Sequence, residues 1–174
     1  AAPLGGSSGS TGTVGPAPGA APAANPGAVD LSSMTPREAA DRLFNRVMQN
    51  VSSGDTAQAR AFLPMAVAAY GRVDDLDDDG RYHLAVLHLV GGNPQAARTE
   101  ANAILAGDPR HLFGLFTAAQ AEQALGNGTR ARELYQRFLG AYETERNRDL
   151  PEYRDHAQAL APMREEAQRA VGGS

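Results

Sequence analysis

A short phrase that recurs at a 34-residue offset constrains this chain more than any other feature. Gly92-Asn93-Pro94-Gln95-Ala96-Ala97-Arg98 returns as Gly126-Asn127-Gly128-Thr129-Arg130-Ala131-Arg132, with Gly92/Gly126, Asn93/Asn127, Ala97/Ala131 and Arg98/Arg132 in register. An earlier copy, Gly54-Asp55-Thr56-Ala57-Gln58-Ala59-Arg60, begins 38 residues before the second. That spacing implies a four-residue insertion, for which the acidic stretch 74–79 is the natural place. A unit of this length cannot enclose a core alone, so its copies must stack on one another.

Each copy reads as the corner between two helices. The glycine ends one helix, because it tolerates the left-handed conformation of a C-terminal cap. Asn or Asp then caps the next helix. The alanine five residues after the glycine is small enough to let two helices approach closely. Ahead of the first copy, Thr35-Pro36-Arg37-Glu38 has an N-cap, a proline at the first helical position and an acid that completes a capping box. Asp108-Pro109 and Asp149-Leu150-Pro151 read as later helix starts. The pattern predicts helices over 35–53, 55–70, 79–91, 94–107, 110–126, 128–145 and 151–170, and strand signals are missing. Pro162 falls within the last of these and is expected to kink or divide it. Tyr153, Ala157 and Leu160 are expected to cover the end of the stack, with Arg164, Glu165, Glu166 and Arg169 facing water.

Composition divides the chain in two. Of the first 29 residues, 23 are Ala, Gly, Pro or Ser and none is charged or aromatic, so this stretch has little to bury against its ordering entropy. Residues 1–34 are therefore read as a disordered or extended Pro/Gly/Ala/Ser-rich arm or tether, and 35–172 as the folded domain. Net charge is −4, all sixteen cationic residues are Arg, and no basic stripe invites nucleic acid. Without Cys there is no disulfide, thiolate nucleophile or zinc finger. No run reaches the ~18–20 apolar residues of a membrane span. The chain opens with Ala1 rather than Met, which suggests a processed or trimmed product. Arms of this composition often join an anchor or signal to a folded domain. An extracytoplasmic (periplasmic), membrane-tethered location in a bacterial source is thus favoured over a free cytoplasmic one.

The repeat resembles the tetratricopeptide (TPR) family. Residues 92–109, with their closing Asp-Pro, look like the second half of one repeat, and 112–126 look like the first helix of the next. Ala119 stands at the family's small position, Gly126 at the interhelical turn, and Tyr135 and Phe138 at bulky positions of the second helix. The segment 35–70 is a degenerate copy. The family's early aromatic position holds Arg81 and Leu115, and its glycine position holds Ala85 and Ala119. The resemblance implies an all-α solenoid of about three TPR-like helix pairs with a C-terminal capping helix. Its concave face would be lined by Phe44, Met48 and Val51, by Tyr82, Val86 and Leu89, and by Phe113, Phe116, Gln120 and Gln123. As an apolar groove this face would take a peptide or partner helix; equally, several of these side chains could pack between helices. The Lys/Asn clamp that some members use for C-terminal carboxylates is missing.

Other motifs weigh less. Asp75, Asp77, Asp79 and Gly80 open like a calcium loop, but Val86 stands where a bidentate Glu is required, which favours a solvated loop at a helix N-terminus. His83 and His88 are five apart, a spacing that puts them on different faces, and His88 is expected in the core. No Ser/His/Asp set, phosphate loop or HExxH occurs. The expectation is a non-catalytic scaffold for protein partners, without cofactor, metal ligands or nucleic acid. The alternative is a permanent accessory subunit of a membrane-associated complex, held partly by its arm.

Overall fold

The computed structural model describes residues 31–173, and residues 1–30 of the arm lie outside them. Eight helices occur among the described residues: α1 (Pro36–Ser53), α2 (Thr56–Tyr70), α3 (Asp78–Val90), α4 (Pro94–Gly107), α5 (Leu112–Ala124), α6 (Gly128–Glu145), α7 (Pro151–Asp155) and α8 (Ala157–Gly172). They pack as three antiparallel pairs, α1/α2, α3/α4 and α5/α6, with α8 laid against α6. The described chain is an all-α helical-repeat solenoid, and each expected helix is present within a few residues of its expected ends.

The recurring phrase explains the corners. Gly54, Gly92 and Gly126 all adopt the left-handed conformation, with φ of 78°, 72° and 83°. A Cβ at any of the three would meet nothing within 4 Å, so the backbone angle alone demands glycine there. The alanines five residues on, Ala59, Ala97 and Ala131, are buried to 4% exposure or less, where the helices touch. Thr35 makes the full capping box with Glu38. Asp55 and Asn93 cap α2 and α4 by accepting the N–H groups of Gln58 and Ala96. The third copy departs from this: the Asn127 amide turns away from the helix and donates to Glu122 at 2.7 Å.

Two further expectations need correction. Asp108 does not start α5; it follows α4, and its carboxylate accepts the Arg110 N–H. The cap of α5 is His111, whose Nδ1 accepts from the Gly114 N–H at 3.3 Å. The last helix divides at His156, where φ is −115° and ψ is 26°, and not at Pro162. Pro162 is exposed, so its ring sits on the solvent side of a continuous α8, while Leu160, Met163 and Ala167 bury the opposite face.

Two large apolar clusters, with a small third one of Ala85, Ala97 and Ala121, make the core of the described residues. The first joins α1, α2 and α3 through Leu43, Phe44, Val47, Tyr70 and Leu87. The second runs from Tyr82 through Ile104, Phe113, Leu115 and Phe138 to Tyr153 and Met163. Val86 packs against both, and so links the clusters. No described helix is long and apolar enough to cross a membrane.

Candidate functional site

The first helices of the pairs lie side by side and run in the same direction. Arg37 at the start of α1 is hydrogen-bonded to Asp77, the residue that caps α3, at 2.5 Å. Tyr82 of α3 stacks on Phe113 of α5 with ring centroids 4.4 Å apart. The residues expected to line a concave face therefore come from neighbouring parallel helices, but they do not share one environment. Phe113 is fully buried, Phe116 is 3% exposed, and Phe44 and Tyr82 are 7% exposed. Met48, Val86, Leu89 and Gln120 are half-buried, while Gln123 and Val51 are exposed.

The chain's own C-terminal segment accounts for much of that burial. Tyr153 of α7 meets the Phe113 ring edge-on at 5.4 Å, and its hydroxyl oxygen accepts the Leu112 N–H at 2.8 Å. His156 meets Tyr82 at 5.5 Å and Phe113 at 5.8 Å. Phe116 instead packs within its own pair, against Tyr135 and Phe138. Further along α5, Gln120 donates to Glu166 of α8 at 3.1 Å. The segment 151–172 thus covers the start of α3 and runs along α5 from Leu112 to Gln120. The C-terminal ends of α1 and α3, with Met48, Val51, Val86 and Leu89, carry the reachable apolar side chains.

Beneath the crossing segment is a polar cluster that no sequence motif marked. Asp79 and His83 sit four residues apart on α3, and therefore on one face. His156, at the α7–α8 break, adds a third group. His83 Nε2 lies 2.9 Å from His156 Nε2, His156 Nε2 lies 3.0 Å from Asp79 Oδ1, and His83 Nε2 lies 3.7 Å from that same oxygen. Behind His83, its Nδ1 is 2.8 Å from the Tyr70 hydroxyl and 3.2 Å from Asp41 Oδ1. Tyr70 itself donates to Asp41 at 2.6 Å. Phe44 stacks on the His83 ring at 4.0 Å and fixes its plane.

Arg37 closes the outer side of the cluster, through Asp41 at 2.9 Å and through Asp77 and Asp79 at 2.5 Å each. Burial resists ionisation of Asp41, but hydrogen bonds from His83, Tyr70 and Arg37 outweigh it and hold the carboxyl at about 2. Asp79 is likewise pulled down: burial opposes its charge, while the His156 hydrogen bond and the nearby His83 and Arg37 favour it. Burial, reinforced by the Asp41 carboxylate, raises the Tyr70 hydroxyl far above the ordinary tyrosine range. A cleft of about 520 Å³ opens onto this cluster between Arg37, Asp41, Asp77, Pro151 and Asp155.

The acidic stretch does not form a calcium loop. Asp77 caps α3 by accepting the Gly80 N–H at 2.8 Å, and the helix begins at Asp78. Nor is His88 a core histidine: it is half-buried, and desolvation lowers its proton affinity. The histidines of the interior are His83 and His111, at 5% and 1% exposure.

Among the described residues, two groups bring histidine and carboxylate ligand atoms together: Asp79/His83/His156 and Asp78/His111/Glu152. They differ in a decisive way. His111 spends its Nδ1 lone pair on the Gly114 N–H, so its Nε2 carries the proton and donates to Glu152 at 2.8 Å. That ring is already satisfied as a helix cap. In the other group the single Tyr70 proton goes to Asp41, and His83 Nδ1 lies against both of them. Its Nε2 faces His156 and Asp79. The signal that could have pointed there was the Asp79/His83 spacing of four; nothing in the sequence pointed to His156, 73 residues beyond His83.

No protein-family model matches the chain, and no curated protein matches it. Among solved structures the fold is similar to the first TPR domain of the human RPAP3 protein, at 14% identity and a TM-score of 0.45, over 78% of this chain and 98% of that one. It is also similar to the Sgt2 TPR domain from Aspergillus fumigatus, at 16% identity and a TM-score of 0.45, over 75% of this chain and 82% of that one. Likeness at this level carries no information about binding or chemistry.

Proposed function

We propose that residues 35–172 form a non-catalytic scaffold that binds a protein partner, with residues 1–34 as its tether. The observation that carries this reading is the exposed apolar end of the first helices. Phe44, Met48 and Val51 follow helical spacing along α1. Their exposure rises along the helix, from 7% at Phe44 to 41% at Val51. Val86 and Leu89 continue the strip onto α3, with Gln120 and Gln123 on α5 as its polar margin. A partner helix or extended peptide with two or three apolar anchors suits such a strip. Tyr82, Phe113 and Phe116 are buried elsewhere, against the C-terminal segment and α6, and would not be direct contacts. The alternative of a permanent membrane-associated subunit depends on residues outside the described ones.

The test is a pull-down from gently solubilised source material, read by mass spectrometry, with wild type beside Val51→Arg and Met65→Arg. Met65 is 48% exposed but lies on α2, a second helix. A partner retained by Met65→Arg and lost by Val51→Arg supports the strip. A partner lost equally in both, or in neither, refutes it.

A further inference from the structure

We propose that Asp79, His83 and His156 form a binding site for a divalent transition metal ion of the zinc type. Tetrahedral zinc with bonds of about 2.0–2.1 Å places its ligand atoms about 3.3 Å apart. The three separations here, 2.9, 3.0 and 3.7 Å, bracket that value. Two imidazole nitrogens and one carboxylate oxygen converge on one point, each within 4.8 Å of the others. A cation placed among them would be bound by all three at once.

The surroundings are those of a metal site rather than a bare cluster. His83 presents Nε2 inward while its Nδ1 is tied to Asp41 and Tyr70, the carboxylate–histidine arrangement that fixes ring and tautomer for a metal. Asp79 divides its two oxygens: Oδ2 is held by Arg37, and Oδ1 is left to the histidines. Locally three carboxylates, Asp41, Asp77 and Asp79, face one guanidinium, so the cluster carries negative charge that a divalent cation would offset. A cleft lined by Arg37, Asp41 and Asp79 gives an approach from the carboxylate side. Two histidines and one carboxylate suit zinc, and cobalt as its spectroscopic substitute, better than calcium or magnesium. The ion would join α3 to the C-terminal segment, holding Tyr153 and His156 over Tyr82 and Phe113.

The experiment uses the full 174-residue chain, purified without a polyhistidine tag and stripped with chelator. Zinc is titrated in competition with a chromophoric chelator, and cobalt is added separately for its visible spectrum. We expect one ion per chain and a tetrahedral cobalt spectrum. At free zinc 100-fold above Kd, Tm should rise by about 5–10 °C. Asp79→Asn and His156→Gln should each weaken binding on the order of 100-fold, and Asp41→Asn by ~10–100-fold. His88→Gln should change nothing. Circular dichroism establishes that each variant is folded; should His156→Gln unfold, Asp79→Asn carries the test, because its amide can still accept from Arg37. The proposal is overturned if wild type binds no zinc, or if Asp79→Asn binds it as tightly as wild type. Loss of binding only in Glu152→Gln would overturn it too, by moving the site to the neighbouring group.

Discussion

Replacing Phe113 with alanine separates a core role from a surface-anchor role at the residue where the two readings diverge most. The ring is fully buried and lies against Tyr82, Tyr153 and His156, contributed by α3, α7 and the α7–α8 break. Deleting it removes roughly 100 Å² of buried apolar surface, worth about 2.5–3 kcal/mol. An incompletely collapsed cavity of roughly 50 Å³ adds about 1 kcal/mol. The loss of offset stacking with Tyr82 adds about 0.5–1 kcal/mol. The sum, near 4 kcal/mol, lies within the ~3–5 kcal/mol range of Phe→Ala changes in protein cores. Urea unfolding followed by circular dichroism at 222 nm measures it, and thermal unfolding should show a Tm lowered by on the order of 10–15 °C. Phe113→Leu, which keeps most of the volume, should cost less than half as much. A solvent-facing anchor would lose only about 0.5 kcal/mol on truncation. A measured loss below about 1 kcal/mol would therefore refute the packing of α7 over α5.

Two further perturbations test the polar contacts. Tyr153→Phe removes the hydroxyl that accepts the Leu112 N–H and leaves that donor buried without a partner, so unfolding free energy should fall by ~1–3 kcal/mol in the same urea assay; no change would show that the contact is not formed in solution. Asp41, held at about 2 against an ordinary 3.8, has its folded-state value lowered, so its stabilisation is complete above pH 3.8 and lost as pH falls through about 2. With the carboxylate 34% exposed, solvent screening reduces the expected contribution to ~1–2 kcal/mol. Between pH 5 and pH 2.5, wild type should lose more stability than Asp41→Asn; equal losses would contradict the assignment.

Most of the architecture was legible because it depends on local chemistry. Glycines that must be left-handed, alanines that must be small and a Thr-Pro-x-Glu cap each act within a turn of helix. Their recurrence at 34 residues gave the pairs, and the helix limits followed. Where the local rule had competitors, the reading failed. Asp108 looked like a cap, but the chain makes a turn there and leaves capping to His111, a residue whose ring nitrogen does what a carboxylate usually does. Asn127 repeats Asn93 in the sequence, yet the buried Glu122 captures its amide. Pro162 does not divide its helix, which runs on to Gly172; the division falls at His156. The polar cluster was the least legible part. Asp79 and His83 share a helix face by simple spacing, but Asp41, Tyr70 and His156 reach them from three other elements, and only the stacking of the pairs brings those together.

The return of the C-terminal segment to α3 also alters how the molecule should come apart. In a stack joined only through adjacent pairs, terminal units fray independently, and unfolding spreads one interface at a time. Here the hydrogen bonds of His156 span 73 and 77 residues and bypass the α5/α6 pair to reach the second pair directly. The last helices therefore cannot peel away without opening α3, and α3 cannot loosen without releasing Tyr153 and the start of α5. This bracket turns a one-dimensional array into a closed cooperative unit, so that amides in α3, α5 and α8 should exchange with solvent through one shared opening event.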